Sequence, residues 1–251
     1  MKLTVLGSGT VCPYLRRASS SYLLEVGNAA LLFDFGHGAL RRFLELGHAP
    51  DRLQRIFLTH VHPDHTSDLV PLLFAINYAP GWTRERLDFY GPEGTTDLLD
   101  RVAAAWPWTG PRVYLRQVEE LEQTRLEFPG FTVESFPVLH GELCALAYRV
   151  EAAGRVFCYS GDSGFCDELL DAAREADLFL CECAIPAGYP PKPEVHLTSA
   201  DVGALAAHAR VKNLLITHLY PQADEVDIRA EVAEHYDGPI EVAEDGRSYP
   251  V

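Results

Sequence analysis

The sequence predicts a mixed α/β (α+β) protein in which two mixed sheets pack face to face with helices outside. Short β-type apolar runs alternate with amphipathic stretches along the whole chain. Two of those runs are separated only by Gly27-Asn28, a hairpin signal. A chain that mixes hairpins with helices buries both best as two sheets back to back, with helices covering the outer faces.

The elements follow in order. An apolar run at 2–6 opens the chain as a strand, and Gly7-Ser8-Gly9-Thr10 turns it. The hairpin strands at 21–26 and 29–34 come next, then a helix near 38–46. Ile56 to Leu58 are the core of a short buried strand at 55–58. His65, Leu69, Leu72, Leu73 and Ile76 share helical spacing and predict a helix at 65–76. A strand at 86–90 precedes a helix at 94–105, capped by Thr95 or Thr96 before Leu98. Strands at 131–138, 144–150 and 155–159 lead to a helix at 166–175 and a strand at 177–182. Ser199 with Asp201, before Val202, opens a helix at 199–209. A strand at 212–217, a helix at 224–236 and a strand at 239–242 complete the chain.

Bulk properties bound the function. The 251 residues suffice for one large domain, 1–251, with no linker, low-complexity tract or charge block. No apolar run approaches the roughly 18 residues of a membrane span. The chain opens on a strand and not a signal peptide, so a cytoplasmic protein is expected. Six cysteines then read as reduced, mostly buried thiols. Cys181 and Cys183 would share one face of a strand, but no second pair gives them zinc-site spacing.

The chemistry concentrates in Thr59-His60-Val61-His62-Pro63-Asp64-His65, between a strand and a helix. A turn of this kind aims four side chains at one volume. Imidazole and carboxylate hold zinc, manganese or iron while leaving a position for water. An exposed polar loop, the bland alternative, leaves three of ten histidines and an aspartate converging at one strand end by chance. Three more residues stand just past apolar runs: His140, Asp162 in Ser160-Gly161-Asp162-Ser163, and His218.

Together these motifs resemble the metallo-β-lactamase superfamily, over essentially the whole chain from Gly7-Ser8-Gly9-Thr10 to His218. The resemblance implies a four-layer αββα sandwich with a metal site where strand ends meet. It implies that His60, His62 and His140 hold one ion, that Asp64, His65 and His218 hold a second, and that Asp162 bridges both. Seven ligands exceed what one tetrahedral zinc accepts, and two ions about 3.5–4 Å apart make a known hydrolytic arrangement. Two divalent ions are therefore expected, zinc first, with manganese or iron as alternatives. A hydroxide between them would be the nucleophile. Asp34, in Leu31-Leu32-Phe33-Asp34, matches the family's first motif and is expected to orient ligand histidines. Capping the helix at 38–46 is its other reading.

Glu182 and His196, in Val195-His196-Leu197-Thr198-Ser199, resemble residues of the ribonuclease Z branch. There the histidine faces the scissile phosphate and protonates the leaving oxygen. Glu182 would orient it. Asp64, His196 and Glu182 make the candidate catalytic set; a surface histidine before a helix is the alternative for His196. Arg17 and Ser19 lie in a stretch resembling the same branch and could contact a phosphate, or Arg17 could be a solvated charge. His37, His48, His208 and His235 read as surface or packing residues.

The branch's long transfer-RNA arm has no counterpart here. Asp162 follows His140 by only 22 positions, and two strands fill the interval. Lys and Arg number 21 against 36 Asp and Glu, a net charge of −15 that repels long nucleic acid. The expected activity is hydrolysis of a small phosphodiester, such as a cyclic nucleotide. Ribonuclease Z-type cleavage, and hydrolysis of a carboxylic ester, sulfate ester or lactone, are the alternative enzymes. A metal-binding protein without turnover is the non-enzymatic one, which the full ligand set disfavours. The expected partner is a small ester substrate, with no membrane; homodimerisation is left open. The segment 77–86 is the expected lid, with Tyr78 and Trp82 stacking on a base or ester, or else packing in the core.

Overall fold

The computed structural model describes residues 1–82, 85–190 and 194–251. The first sheet holds β1 (Lys2–Gly7), β2 (Ser21–Val26), β3 (Ala29–Phe33), β4 (Arg55–Phe57), β5 (Arg86–Gly91) and β6 (Leu115–Glu120). The second holds β7 (Thr124–Phe128), β8 (Phe131–His140), β9 (Leu143–Ala152), β10 (Arg155–Tyr159), β11 (Leu178–Glu182), β12 (Leu214–Thr217) and β13 (Ile240–Val242). The chain then returns to the first sheet as β14 (Ser248–Pro250). The orders are β14-β1-β2-β3-β4-β5-β6 and β13-β12-β11-β10-β9-β8-β7.

Both sheets follow one pairing pattern. From β14 to β3, and from β7 to β10, every pair is antiparallel. From β3 to β6, and from β10 to β13, every pair is parallel. Gly27, at φ 57, takes the first place of the β2–β3 turn, where hairpins need the left-handed region.

Helices α1 (Ala39–Glu45), α2 (Pro63–Thr66), α3 (Leu69–Tyr78), α4 (Thr95–Ala105), α5 (Asp167–Ala173), α6 (Ser199–His208) and α7 (Ile228–Ala233) connect the strands. Three apolar layers result. Val5, Tyr22, Phe33, Phe57, Tyr148, Phe157 and Leu180 fill the space between the sheets. Leu32, Ile56, Leu58, Leu72 and Phe89 pack helices onto the first sheet. Phe179, Cys181, Cys183, Val202 and Ile216 do so on the second. Inner strands are buried on both faces, so they read in sequence as continuous apolar runs. Cys181 and Cys183 do share a face, but as free thiols inside the helical layer.

The departures from expectation are local. The strands β6, β7 and β14 have mostly exposed, polar sequences at or near sheet edges, so no apolar run announces them. The expected helix 65–76 is two helices, with Asp68 between them. Asp68, not Asp34, serves the helix at 39–45: its Oδ2 accepts from the Leu40 N–H at 2.8 Å. Gly94 is the N-cap of α4, while Thr95 turns its hydroxyl to the Pro92 carbonyl. The α6 cap is Thr198, one residue before the expected Ser199, in a reciprocal capping box with Asp201. In place of one helix at 224–236 there is a 3₁₀ turn at Pro221–Asp224 and the short α7.

Candidate metal centre

The parallel runs β3–β5 and β10–β12 leave their C-terminal ends at one edge of the sandwich. From there Asp34 follows β3, His60 follows β4, Asp162 follows β10, Glu182 ends β11 and His218 follows β12. Strand β8 is two antiparallel steps from β10, so it runs the same way and delivers His140 to that edge. Pro63 starts α2 and turns Asp64 and His65 back toward His60. Asp34 and His218 sit at φ 56 and 54, a left-handed backbone that costs a non-glycine residue on the order of 1 kcal/mol. Gly161 has φ +60, and a Cβ there would stand 2.7 Å from the Leu146 carbonyl oxygen, so the Asp162 turn admits only glycine.

All seven expected ligands converge. His60 Nε2 lies 2.9 Å from His62 Nδ1, which lies 3.2 Å from His140 Nε2. Asp162 places Oδ1 3.3 Å from His65 Nε2 and Oδ2 3.2 Å from His218 Nε2 and 3.8 Å from His60 Nε2. Asp64 Oδ2 stands 3.6 Å from His218 Nε2 and 3.8 Å from His65 Nε2. Nitrogens about 2.0–2.1 Å from a tetrahedral zinc are about 3.3 Å from one another, which is the spacing of this cluster. Five groupings among the described residues could each hold an ion: His60-His62-His140, His60-His65-Asp162 and Asp64-His65-His218 within the expected set, and His140-Asp162-His196 and Glu182-His196-His218 with His196. Buried His65 Nε2, His218 Nε2 and Asp162 Oδ1 have no hydrogen-bond partner among the described residues. Polar atoms buried without partners are costly, and a divalent ion would satisfy them. The donor set therefore fits a pair of metal ions.

Supporting bonds set which ring nitrogen faces the centre. Asp34 accepts four: from Thr59 N–H (2.8 Å), the Thr59 hydroxyl (2.9 Å), the Tyr159 hydroxyl (2.8 Å) and His65 Nδ1 (2.7 Å). His140 Nδ1 donates to the Val195 carbonyl at 2.9 Å. In both rings Nε2 is the atom that would offer its lone pair to an ion at the centre. Tyr148 donates to the Leu58 carbonyl, and Tyr22 bonds the Thr217 hydroxyl, so three core tyrosines brace the strand ends beneath the site. Thr59 and these tyrosines were not picked out in the sequence; their only signal is a hydroxyl within an apolar run.

The electrostatics favour a cation. Burial would raise the Asp162 carboxyl, but His218 and His65 hold it well below the usual range. Burial works against a charged His65, yet Asp162 and Asp34 push it well above its ordinary value. Burial, then His65, drive His60 well down, so its ring is neutral, as a ligand must be. Burial, then Asp162 and Asp64, push the Tyr220 phenol up to about 12, so it stays protonated near neutral pH.

His196 and Glu182 meet at this edge. Glu182 is fully buried and its Oε1 lies 2.8 Å from His196 Nδ1. The same carboxylate accepts from the Ser163 (2.9 Å), Ala184 (3.2 Å) and Leu197 (3.4 Å) N–H groups. A ring nitrogen of His196 is within 4.8 Å of ligand atoms of His140 and Asp162. Its surface-histidine reading fails, since it is only 7% exposed.

Other expectations change. Arg17 is neither solvated nor turned to a substrate. It is buried and pairs with Asp224 at 2.9 and 3.3 Å, Ser8 Oγ at 2.8 Å and the Ala243 carbonyl at 2.7 Å. Ser19 donates to the Thr10 carbonyl. In the expected lid, Thr83 and Arg84 lie outside the described residues. Tyr78 ends α3, about 15 Å of helix from the ligand loop, and takes Arg112 on its ring. Trp82 packs on the helical layer of the first sheet. His37, His208 and His235 are exposed, and His48 stacks on Phe43.

The family model described as a beta-lactamase superfamily domain matches residues 31–219. With this fold and this edge site, the chain belongs to the metallo-β-lactamase superfamily, and it is a hydrolase of that superfamily. It is 30% identical to an uncharacterised protein of Mycobacterium tuberculosis, Rv1339, over 96% of this chain and 88% of that one. The probable metallo-hydrolase YhfI of Bacillus subtilis is 26% identical over 98% of each. The YhfI crystal structure superposes with a TM-score of 0.86, at 25% identity over 99% of this chain and 98% of that one. Ribonuclease Z of Methanothermobacter thermautotrophicus is 25% identical over 98% of this chain and 95% of that one. Among the described residues, no helix is long and apolar enough to cross a membrane.

Proposed function

We propose that the protein is a phosphodiesterase, dependent on two metal ions, that acts on small phosphodiesters such as cyclic nucleotides. The observation that carries this reading is His196, held by Glu182 beside the seven-ligand cluster but outside it. A diester with an alkoxide leaving group needs a proton donor as well as a cationic centre. A carboxylic ester, sulfate ester or lactone could use the same pair, and the likeness to a ribonuclease Z is what favours chemistry at phosphorus.

His60, His62 and His140 would hold one ion, Asp64, His65 and His218 the other, with Asp162 between them. When bound, two divalent ions supply an acidified water and positive charge for the phosphoryl oxygens. The Asp64 carboxylate, which would also hold the second ion, can accept a proton from water. Glu182 fixes the His196 ring through Nδ1, and Nε2 is the atom that would deliver a proton to the departing oxygen. Water adds to phosphorus and the P–O bond to the alcohol breaks. The products are a phosphomonoester and an alcohol, which for a cyclic nucleotide are one molecule, and the proton given by His196 is balanced by the one the water loses.

Transfer-RNA processing is disfavoured. The stretch between His140 and Asp162 is two paired strands with no arm, and the net charge is −15. Binding to a phosphate backbone draws on cation contacts, so such a chain should hold RNA weakly. The test is competition between a precursor transfer RNA, bis-4-nitrophenyl phosphate, cyclic nucleotides, a sulfate ester and a lactone, with zinc, manganese and iron. Preferential turnover of the small phosphodiesters is expected. Efficient, site-specific cleavage of the precursor at physiological salt, or turnover of the sulfate ester or lactone alone, would overturn the assignment.

A further inference from the structure

A cavity of about 210 Å³ opens directly beside His196, lined among others by Ile185, Pro186, Tyr189, Tyr220 and Gln222. It lies beyond the ends of β11 and β12, between the loop that follows Glu182 and the loop that follows His218. The first loop is fastened to the His196 segment: Ile185 N–H donates to the Leu197 carbonyl at 3.3 Å, and Ser199 N–H donates to the Ile185 carbonyl at 3.1 Å. It is also tied to α7, because Ala187 N–H donates to Glu231 Oε2 at 2.9 Å. The cavity wall and the histidine are therefore parts of one braced unit.

A proton donor has to stand about 2.6–3.2 Å from the leaving oxygen. Whatever carbon skeleton that oxygen carries must then extend from His196 into the adjoining space, and this cavity adjoins it. Its size is below the roughly 300–1,000 Å³ typical of pockets for drug-sized ligands, so it suits a single ring system. Among the described residues no Lys, Arg, Asp or Glu lines it. The lining residue among those described that can carry a positive charge is His196, which Glu182 already pairs, so an anionic group placed there would lose its water without gaining an unpaired cation, which is costly. Proline, isoleucine and tyrosine walls instead favour a flat or compact uncharged ring.

We infer that this cavity is the leaving-group site, and that it selects phosphodiesters whose departing alcohol carries one uncharged ring. The inference rests on the phosphodiesterase reading and narrows it. A cyclic nucleotide meets the requirement through its base, the uncharged ring carried by the sugar whose hydroxyl is released from phosphorus. A polynucleotide does not, because its departing hydroxyl carries further phosphates. Gln222, exposed at the rim, is positioned to read a polar edge of the ring.

The test uses the metal-loaded protein with three diesters: methyl 4-nitrophenyl phosphate, methyl 2,2,2-trifluoroethyl phosphate, and methyl 3-carboxy-4-nitrophenyl phosphate. Each rate is referred to its own uncatalysed hydrolysis. Ile185→Trp, which fills the cavity, should lower the ratio of kcat/KM for the ring diester to that for the small trifluoroethyl diester about tenfold. The wild-type protein should disfavour the carboxylated ring about tenfold against the uncharged one, and Gln222→Lys should remove most of that penalty. Gln222 is exposed, so its substitution tests the cavity even if Ile185→Trp does not fold. An unchanged ratio in folded Ile185→Trp, or a carboxylated ring accepted as well as the uncharged one, overturns the cavity assignment alone. Failure of the wild-type protein to cleave any of the diesters removes the phosphodiesterase reading, and the cavity assignment with it.

Discussion

Asp34 shows how one buried carboxylate can govern a site from beneath. It touches His65 but is not one of the seven convergent groups, and its four accepted bonds tie together β3, the Thr59 turn, His65 and Tyr159. Asp34→Ala should leave a folded chain whose metal affinity is ~10–100-fold weaker, as found when residues supporting a metal ligand are removed. Chelator-competition titration would measure this, and wild-type affinity would refute the supporting role. His196 makes the complementary case. His196→Ala should retain full metal content yet slow alkyl diesters by ~100-fold or more. Esters of 4-nitrophenol, whose leaving group departs without a proton, should lose far less. Equal losses for both classes would make His196 a binding residue instead. The ligands were legible because four cluster in one turn after an apolar run, while His140, Asp162 and His218 each stand just past another. Arg17 was not, because its partner Asp224 is 207 positions away and no local pattern records it.

At the scale of elements, the ends of β10, β11 and β12 away from the centre are pinned by Asp177. Its carboxylate accepts from Arg155 (2.8 Å), the Val156 N–H (2.9 Å) and Lys212 (2.9 Å). Burial opposes its ionisation, but the Lys212, Val156 and Arg155 bonds prevail and hold it below the ordinary carboxylate value. A carboxyl lowered on folding adds stability above its unfolded value, near 4, and that stability fades as pH falls through the lower folded value. Asp177→Asn should therefore cost about 1–2 kcal/mol at pH 7, with the gap to wild type narrowing below about pH 4. Urea unfolding at a series of pH values tests this; a gap that stays constant or widens in acid contradicts it. Gly36 shows why some element boundaries escape sequence reading. A Cβ there would stand 1.9 Å from the Asp64 carbonyl oxygen, so the β3–α1 loop and α2 meet backbone to backbone. There Phe35 N–H donates to the His65 carbonyl at 2.6 Å and Asp68 N–H to the Phe35 carbonyl at 3.0 Å, bonds that a continuous helix would need for itself, so the helix splits although the apolar spacing runs on through Ile76.

For the whole molecule, the shared pairing pattern of the two sheets makes β3 and β10 equivalent. Asp34 and Asp162 are thus counterparts, each following the first strand of its parallel run. The recurrence of Thr-His at Thr59-His60 and Thr217-His218 is not part of that correspondence, since β4 matches β11 and not β12. The centre draws its residues from both sheets, so bound ions should clamp the halves together. Each ion at 100 times its dissociation constant adds ~2.7 kcal/mol, and a chain of this size gains about 2–4 °C per kcal/mol. Removing metal with a chelator should lower the Tm on the order of 10 °C, reversibly on adding zinc. Calorimetry with and without chelator decides the matter. A Tm indifferent to metal, together with less than one bound equivalent, would speak against a paired centre.

The order and identity of the ligand residues, the hairpin of β2 and β3, and the two helix-covered mixed sheets were determined by the sequence itself. Each is written locally, in apolar periodicity and in the polar residue that interrupts it. Tertiary structure alone decided that Arg17 is buried, that Tyr159 braces Asp34 from 125 positions away, and that a cavity lined by no Lys, Arg, Asp or Glu among the described residues adjoins His196. It also decided that exposed polar stretches at 115–120 and 124–128 are strands. Edge strands take their order from a neighbour's free hydrogen-bonding groups, and long-range contacts take theirs from the closed fold, so neither leaves a periodic trace in the chain.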